Sequence, residues 1–398
     1  MSINTKKTLK NQYEICVATT IDLKEIVEFL AHIFGPNYRE AHKTQTSILT
    51  NEPSKKPRNF ILARSMSGEL IGLVRIVERT ILIEGVPIFY GGISSVGVHA
   101  DWRGKGVASD LMEYAIPEMR KRKIPLSILY GRRAVDGFYT KYGYYGIGRY
   151  RTCELLSGNT HIKHDRALIA TSYSPRFASF LATEYQRTYR ILSGSILRDR
   201  GIWRYLLTRA QASKTPVITI LLDPSNKKPI GYCVIKEDTC IECVAPKQWF
   251  AMLLSYLYDR NIKKLALHPA HPFDRYVRRT VTTITHERLA LDGGYMARVV
   301  DWQLFLKALA PALVSQAKSR GLSREKITLQ GYTIDLTRCT VEKSHASDDI
   351  RGSEHDSMQL MIGLHSLESL DLAINPKKPW IPHLFNRGEF HTSAWDEI

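Results

Sequence analysis

The residues with the clearest chemical potential are the six at positions 103–108, Arg-Gly-Lys-Gly-Val-Ala. They follow a strand-like run at 93–98 and open a helix-like run at 108–116. Glycines let the backbone of such a turn approach a ligand with no Cβ in the way, and the N–H groups of a helix N-terminus attract anions. Arg103 and Lys105 add full positive charges. The segment therefore predicts a binding site for a phosphate or pyrophosphate group.

The spacing of these residues excludes two better-known phosphate loops. No Ser or Thr follows Lys105, as Gly-x-x-x-x-Gly-Lys-Ser/Thr requires, and the third glycine of Gly-x-Gly-x-x-Gly is missing. Arg-x-x-Gly-x-Ala does fit, and about thirty residues later comes Phe-Tyr-Thr-Lys-Tyr-Gly-Tyr at 138–144. The two motifs resemble the pyrophosphate loop and the Phe-Tyr-x-x-x-Gly-Phe/Tyr element of the Gcn5-related N-acetyltransferases (GNAT). A plain basic turn remains the alternative for the first motif alone.

The bulk properties indicate a soluble intracellular protein of two or three domains, placed in the cytoplasm. The chain has 398 residues and 44% hydrophobic residues, with no apolar run long enough to span a bilayer and no apolar signal core at its start. Its six cysteines are scattered, and the lone Cys-x-x-Cys at 240–243 lies in a strand-like run. His268 and His271 are separated by prolines that break any helix between them. We therefore expect no metal site.

The net charge of +17 would suit a nucleic-acid binder, but no known nucleic-acid-binding motif accompanies it. The densest basic run is Arg-Lys-Arg-Lys at 120–123, at the predicted end of the helix that follows the phosphate loop. These cations complement the C-terminal helix dipole, or they form a docking face for an acidic carrier protein or peptide. Nucleic acid is the weaker explanation.

Hydrophobic periodicity predicts a mixed α/β chain. Over the first 150 residues we expect a strand (13–19), a helix (21–34), a loop, three antiparallel strands (60–65, 70–78 and 80–95), the helix after the phosphate loop and a strand at 126–130. The order recurs in part over 175–267, without glycines at the position of the phosphate loop. Toward the end we expect a helix over 302–319 that Pro311 kinks or splits, a strand at 358–362 and a helix at 364–373.

The whole chain resembles one branch of the GNAT superfamily, the Eis-type (enhanced intracellular survival) acetyltransferases. The segments that carry the resemblance are 103–108, 138–144, 192–198 with Trp203, and 293–301. The resemblance implies an α/β fold with mixed sheets: a catalytic GNAT domain (1–152), a degenerate GNAT-like domain (153–292) and a sterol-carrier-protein-like α+β domain (293–398) whose tail reaches the active site. A sterol-carrier-like fold does not itself imply lipid transport.

The resemblance also implies site residues. Tyr139 would protonate the departing thiolate of coenzyme A, and a tyrosine with an ordinary pKa of about 10 holds that proton at neutral pH. The carboxylate of Ile398 would act as base toward the amine, and Glu397 would help to hold it. The donor, acetyl-CoA or a longer acyl-CoA, would bind along the strand and the loop, at Val96, Gly97, Val98, Arg103, Gly104, Lys105, Gly106, Val107 and Ala108. The adjacent Tyr142, Tyr144 and Tyr145 are expected to be structural.

The identity of the acceptor stays open at this point. Aminoglycosides are the best-known acceptors of the Eis type, but a protein of charge +17 is a poor electrostatic match for polycations. A lysine or ornithine side chain of a peptide, receiving an acetyl or fatty acyl group, is the enzymatic alternative. Small residues at 91–97 would widen the acyl end of the donor site or ease backbone packing. A non-catalytic acyl-CoA sensor or nucleic-acid binder is the alternative from another class. The resemblance implies a homo-oligomer, specifically a hexamer.

Overall fold

Three β-sheets organise the computed structural model, which describes residues 12–35, 37–131, 135–156, 168–290, 293–322, 324–385 and 389–396. The first sheet has, in spatial order, β1 (Tyr13–Val17), β2 (Phe60–Ser65), β3 (Leu70–Ile83), β4 (Val86–Val98), β5 (Leu126–Tyr130), β14 (Tyr295–Val299) and β6 (Tyr145–Gly146). The second has β8 (Ile169–Ser172), β9 (Val217–Leu222), β10 (Pro229–Lys236), β11 (Thr239–Val244), β12 (Lys264–Leu265), β7 (Gly148–Leu155) and β13 (Thr283–Ala290). The third has β17 (Thr340–Lys343), β16 (Tyr332–Asp335), β15 (Lys326–Leu329), β18 (Ile350–Arg351) and β19 (Ala373–Ile374).

The helices lie between and beside these sheets. They are α1 (Leu23–Phe34), α2 (Tyr38–Asn51), α3 (Val107–Lys121), α4 (Asp136–Thr140), α5 (Ala178–Tyr189), α6 (Arg200–Ser213), α7 (Phe250–Asp259), α8 (Pro272–Thr280), α9 (Trp302–Ser319), α10 (Glu354–Ile362) and α11 (Ile381–Leu384). The predicted mixed α/β architecture is confirmed. Within the described residues, no helix combines the length and the apolar character that a membrane span requires.

The first two sheets share one strand order, and each contains a strand from the other half of the chain. In both sheets an antiparallel meander of four strands is followed by one parallel strand, β5 in the first and β12 in the second. The next strand is β14 in the first sheet and β7 in the second, and each is antiparallel to both neighbours. The two halves therefore exchange one strand each. The division of the chain at 152 and 292 stays a prediction, and position 152 lies inside the exchanged strand β7.

A continuous apolar core joins the third sheet to the first. Ile81, Ile83 and Tyr90 on one face of the first sheet share a cluster with Leu309 and Leu313 of α9 and with residues of the third sheet. Buried apolar area of this kind is the main favourable contribution to folding, so the third sheet and α9 stabilise the first sheet directly. On the other face, α3 covers β2 and β3 through Leu111, Met112 and Ala115.

Several local predictions were wrong for identifiable reasons. Residues 358–362 belong to helix α10, whose N-terminus is capped by the Ser353 hydroxyl accepting from the Asp356 N–H at 3.0 Å. Gly363, at φ 76°, ends that helix, and the predicted helix at 364–373 is a short 3-10 turn followed by β19. Helix α9 runs unbroken through Pro311, because Ala310, Ala312 and Leu313 on either side are packed in the core. The predicted loop after α1 contains α2, a helix without a buried face.

Candidate active site

The edge of β4 that should receive a ligand is open. β4 pairs in parallel with β5 from Tyr90 to Ile93, and no pair between these strands follows Ile93–Leu129 in the part of the chain that the structure describes. On the other side, the register of β3 against β4 shifts between Leu73 and Arg75, opposite Ser95, whose φ is 53°. A bulge of this kind bends a strand away from its neighbour. Residues 94–98, including the predicted Val96, Gly97 and Val98, therefore line a cleft between β4 and β5.

The glycine loop lies at the end of this cleft and is shaped for an anion. Gly104 and Gly106 have φ values of 77° and 85°, which only glycine adopts without strain, and Gly106 is the N-cap of α3. No side chain of the described residues caps this helix, so its first N–H groups are available to a ligand. Arg103 and Lys105 are exposed beside them. The Arg103 Nε donates to the Val98 carbonyl at 3.3 Å, which ties the loop to the strand.

The corresponding turn of the second sheet lacks these features. After β11 the chain passes through Pro246 and a 3-10 turn at Lys247–Trp249 into α7, without glycine. Trp249 packs against the adjacent hydrophobic cluster. The anion-binding geometry is thus found at the first of the two equivalent positions and not at the second.

Tyr139 lies on α4, the helix that follows β5 in the chain. Its ring packs edge-on against Phe138 and Tyr144, with centroids 5.2 and 6.3 Å away. Burial, with a smaller contribution from Asp136, raises the pKa of Tyr139 above its ordinary value. The hydroxyl has no hydrogen-bond partner within the described ranges. Tyr139 is therefore a protonated phenol with a donor that remains free.

The neighbouring tyrosines have structural partners. The Tyr144 hydroxyl lies 2.7 Å from the Ser127 Oγ, which in turn donates to the Gly91 carbonyl at 2.7 Å and ties Tyr144 to β4 and β5. The Tyr142 carbonyl accepts a hydrogen bond from Arg298 Nη1. Arg298 belongs to β14, so the strand contributed by the second half of the chain holds the segment that carries Tyr139.

The glycines at 91 and 97 are explained by close packing. A Cβ on Gly91 would lie 2.8 Å from the Met119 sulfur, and one on Gly97 would lie 3.2 Å from Ile33 Cγ2. Both approaches are closer than ordinary van der Waals contact. These two positions therefore let α3 and α1 approach the sheet, and the space beside them is filled.

The last described residues of the chain dock into the second half, in a cluster that the sequence did not reveal. Asp396 accepts from Arg198 Nε at 2.8 Å and from Nη2 at 2.7 Å, and Arg198 also forms a two-point pair with Glu242 at 3.0 and 2.6 Å. Arg198 and Glu242 are fully buried, and the Arg198 guanidinium stacks on the rings of Tyr185 and Trp395. Arg198 ends the segment 192–198, so its role explains that motif. The predicted Glu397 and Ile398 lie outside the described residues.

The docked tail lines a small cavity beside the β4–β5 cleft. The cavity has a volume of about 30 Å³ and is lined by the side chains of Glu52, Arg75, Val77, Arg79, Ser94, Ile196, Ile202, Tyr205, Leu206 and Asp396. Arg75 pairs in register with Ser94, the first residue of β4 beyond its pairing with β5. The cavity therefore adjoins the point where the cleft opens. The signal in the sequence was two arginines four positions apart in a mostly apolar strand.

Three histidines are buried, His391 of the tail and His268 and His271 of the second half of the chain, and we expect them to make stability depend on pH. Burial lowers the pKa of His268 to about 3 and the pKa values of His271 and His391 to about 4. The unfolded chain, with histidine pKa values of about 6.5, binds more protons than the folded one between these limits. The free energy of unfolding should therefore fall as the pH falls from about 6.5 to about 4, by up to about 4 kcal/mol per pH unit for all three histidines.

Urea unfolding at pH 7, 6 and 5 measures this slope. The paired carboxylates with lowered pKa values act in a more acidic window, so they do not contribute to it. A free energy of unfolding that stays flat from pH 6.5 to pH 5 would contradict the assignment of neutral buried histidines.

No group of three or more His, Cys, Asp or Glu side chains within the described residues is arranged to hold a metal ion. Cys233, Cys240 and Cys243 lie together in the core of the second half, fully buried between β10 and β11. Burial and the neighbouring Cys240 raise the pKa of the Cys243 thiol well above its ordinary value. These thiols are part of the packing.

Comparison with known proteins agrees with this geometry. Residues 14–147 match the model of the acetyltransferase (GNAT) domain. No curated protein matches the sequence significantly. Three crystal structures share the fold over almost the whole chain at low sequence identity.

A GCN5-related N-acetyltransferase from Anabaena variabilis is 16% identical, with a TM-score of 0.70 and coverage of 96% of this chain and 98% of that one. A conserved protein of unknown function from Enterococcus faecalis, described as a probable N-acyltransferase, is 18% identical, with a TM-score of 0.72 and coverage of 97% and 99%. Eis1 from Mycobacterium abscessus is 16% identical, with a TM-score of 0.66 and coverage of 97% and 100%. The chain thus contains a GNAT acetyltransferase domain within a three-sheet fold that it shares with these proteins.

Proposed function

We propose that the protein is an N-acyltransferase that moves an acetyl group from acetyl-CoA to a primary amine. The observation that carries the proposal is the opening of β4 away from β5, with an uncapped helix N-terminus and two cations at its end, and with Tyr139 packed against the same hydrophobic cluster as Val96 and Val98. A pantetheine arm would pair with residues 96–98 like an added strand, and the pyrophosphate would lie on residues 103–108. A backbone N–H of β4 would stabilise the negative charge that develops on the thioester oxygen.

The neutral amine attacks the thioester carbonyl, the C–S bond breaks, and Tyr139 donates its proton to the departing thiolate. The nitrogen, which carries one surplus proton after the attack, releases that proton to solvent, and solvent returns a proton to Tyr139. A primary amine with a pKa of about 10 must first lose a proton, and a carboxylate at the end of the tail can accept it directly or through water. Asp396 lines the cavity at the cleft. Two further residues span at most about 7 Å, so we propose the Ile398 carboxylate as this base and Glu397 as its neighbour in amine binding.

Acetyl is the donor group that the packing favours. Side chains from α3 and α1 already fill the space beside Gly91 and Gly97. We therefore assign the small residues of β4 to close packing and propose a short acyl chain rather than a fatty one. A panel of coenzyme A thioesters from acetyl to palmitoyl, assayed by thiol release and mass spectrometry of the products, tests this; equal or faster turnover with palmitoyl-CoA would overturn it.

We further propose that the protein is of the Eis type, with a second GNAT-like half that has lost its donor site. The shared strand order of the first two sheets and the absence of glycines in the turn before α7 support this proposal. The third sheet with α9 would correspond to the sterol-carrier-protein-like part. Its contribution here is structural, because its core is continuous with that of the first sheet.

Neutralising the loop should weaken coenzyme A binding. Arg103→Gln and Lys105→Gln each remove one charge from the pyrophosphate site, and charge-assisted hydrogen bonds contribute about 1.5–3 kcal/mol, so we expect about 10- to 100-fold weaker binding. The dissociation constant of coenzyme A, measured by calorimetry at low salt, reports the effect. Lys43→Gln, on the exposed helix α2, is the matched control. Unchanged affinity in both loop variants would remove the loop from the donor site.

A further inference from the structure

The cavity beside the cleft has two electrostatic poles. Arg75 and Arg79 both pair with the single carboxylate of Glu52, so this group carries one excess positive charge. Arg198 pairs with both Glu242 and Asp396, so that group carries one excess negative charge. Arg75, Arg79, Glu52 and Asp396 all line the same cavity. The cavity is therefore lined by members of a cationic group and of an anionic group.

The Arg75 guanidinium has unused hydrogen-bonding capacity. Its side chain is 5% exposed, and its Nε is buried without a hydrogen-bond partner in the described residues. A buried donor that lacks an acceptor costs free energy, which an incoming acceptor would recover. Burial lowers the pKa of Arg75, and the Glu52 carboxylate opposes that shift. Arg79, by contrast, also donates to the Glu78 carbonyl at 2.9 Å and to the Ser54 Oγ at 3.2 Å.

The size of the cavity limits which groups could accept a hydrogen bond from Arg75. The cavity is small, about 30 Å³, which matches a group the size of a carboxylate. An arginine fork matches the two oxygens of a carboxylate. Because Arg75 lies opposite Ser94, where the cleft opens, a carboxylate held there would belong to the acceptor.

We propose that the acceptor is a zwitterion of the amino-acid type, whose carboxylate binds Arg75 and whose amine lies toward the carboxylates of the tail. This inference rests on the proposed function and adds the substrate class. Polycationic acceptors, which offer no anion, would leave the Arg75 Nε without an acceptor. Such a ligand carries at most one net positive charge, so the basic protein repels it less than it repels a polycation.

Paired acceptors that differ only by a carboxylate test the proposal on the full chain. L-lysine and L-ornithine are compared with cadaverine and putrescine in thiol-release assays with acetyl-CoA. We expect kcat/KM to be about 10- to 100-fold higher for the amino acids, the range of one charge-assisted interaction. Diamines that react as well as the amino acids would overturn the inference and leave the proposed function intact. Failure to bind coenzyme A would instead overturn the proposed function.

Binding provides a readout that does not depend on turnover. Calorimetric titration of the protein loaded with coenzyme A compares 6-aminohexanoate with hexylamine, and we expect measurable affinity for the first alone. Equal affinities would overturn the inference even if neither lysine nor cadaverine reacts.

Two variants distinguish a role of Arg75 in binding the acceptor from a purely structural role of its ion pair. Arg75→Gln should raise KM for lysine by about 10- to 100-fold to the level of cadaverine, with KM for acetyl-CoA unchanged. Glu52→Gln removes the competing carboxylate and should lower KM for lysine several-fold. If Arg75, Arg79 and Glu52 had only a structural role, both variants should be less stable, and the preference for lysine over cadaverine should not change. Arg64→Gln is the matched control, because Arg64 also bridges two carboxylates, Asp22 and Glu25, but does not line the cavity.

Discussion

Replacing Tyr139 with phenylalanine should lower kcat by about 100- to 10,000-fold, the range for loss of a positioned general acid. The ring would keep its edge-on contacts with Phe138 and Tyr144, so the fold should be unaffected. The missing hydroxyl has no structural partner within the described ranges, so its removal breaks no hydrogen bond there. Steady-state kinetics with acetyl-CoA and the best amine acceptor, together with calorimetry of coenzyme A, measure the two quantities separately.

Tyr142→Phe is the control for this experiment. Tyr142 packs against the same hydrophobic cluster, and its tie to Arg298 runs through its carbonyl, which the substitution retains. We therefore expect near wild-type kcat for Tyr142→Phe. The coenzyme A dissociation constant should be unchanged in both variants. A fully active Tyr139→Phe variant would remove this residue from the mechanism and leave the thiolate to be protonated by solvent.

The features of the donor site that could be predicted from the sequence are those encoded by neighbouring residues. The glycines at 104 and 106 indicate positive φ angles, and the helix after them begins where the apolar periodicity starts. β2 and β5 have the predicted bounds, because each is a short apolar run between polar turns. The sequence was sufficient to predict those elements whose conformation depends only on neighbouring residues.

The features that could not be predicted depend on pairings between distant residues. Nothing in the residues of β14 indicates that they would insert between β5 and β6, since a strand's partner is set by the rest of the sheet. Met358 to Ile362 is an apolar run of a length that fits a strand or a helix, and the Ser353 cap is what identifies it as part of α10. Arg75 and Arg198 stand out in the sequence as charged residues, but the sequence does not indicate that they pair with Glu52 and Asp396.

Replacing Arg198 with methionine should lower the free energy of unfolding far more than the loss of an exposed ion pair would. The variant leaves Glu242 buried without its cation, and breaking a buried pair in this way costs about 3–5 kcal/mol. It also releases Asp396, which anchors the tail at the cavity. We therefore expect an earlier unfolding midpoint in urea, faster proteolysis of the tail and a large loss of acyl transfer.

Asp396→Asn separates the anchoring of the tail from the stability of the core. This variant retains the pair between Arg198 and Glu242, so the core should lose less than in Arg198→Met, whereas the end of the tail loses its charged contact. Activity should then fall while the urea midpoint changes little. Arg187→Met provides the control, because its pair with Glu184 is formed by a side chain that is 70% exposed and should contribute no more than about 1 kcal/mol. If Asp396→Asn acylates amines at the wild-type rate, a docked tail is not needed for the reaction, and a base in the tail is excluded with it.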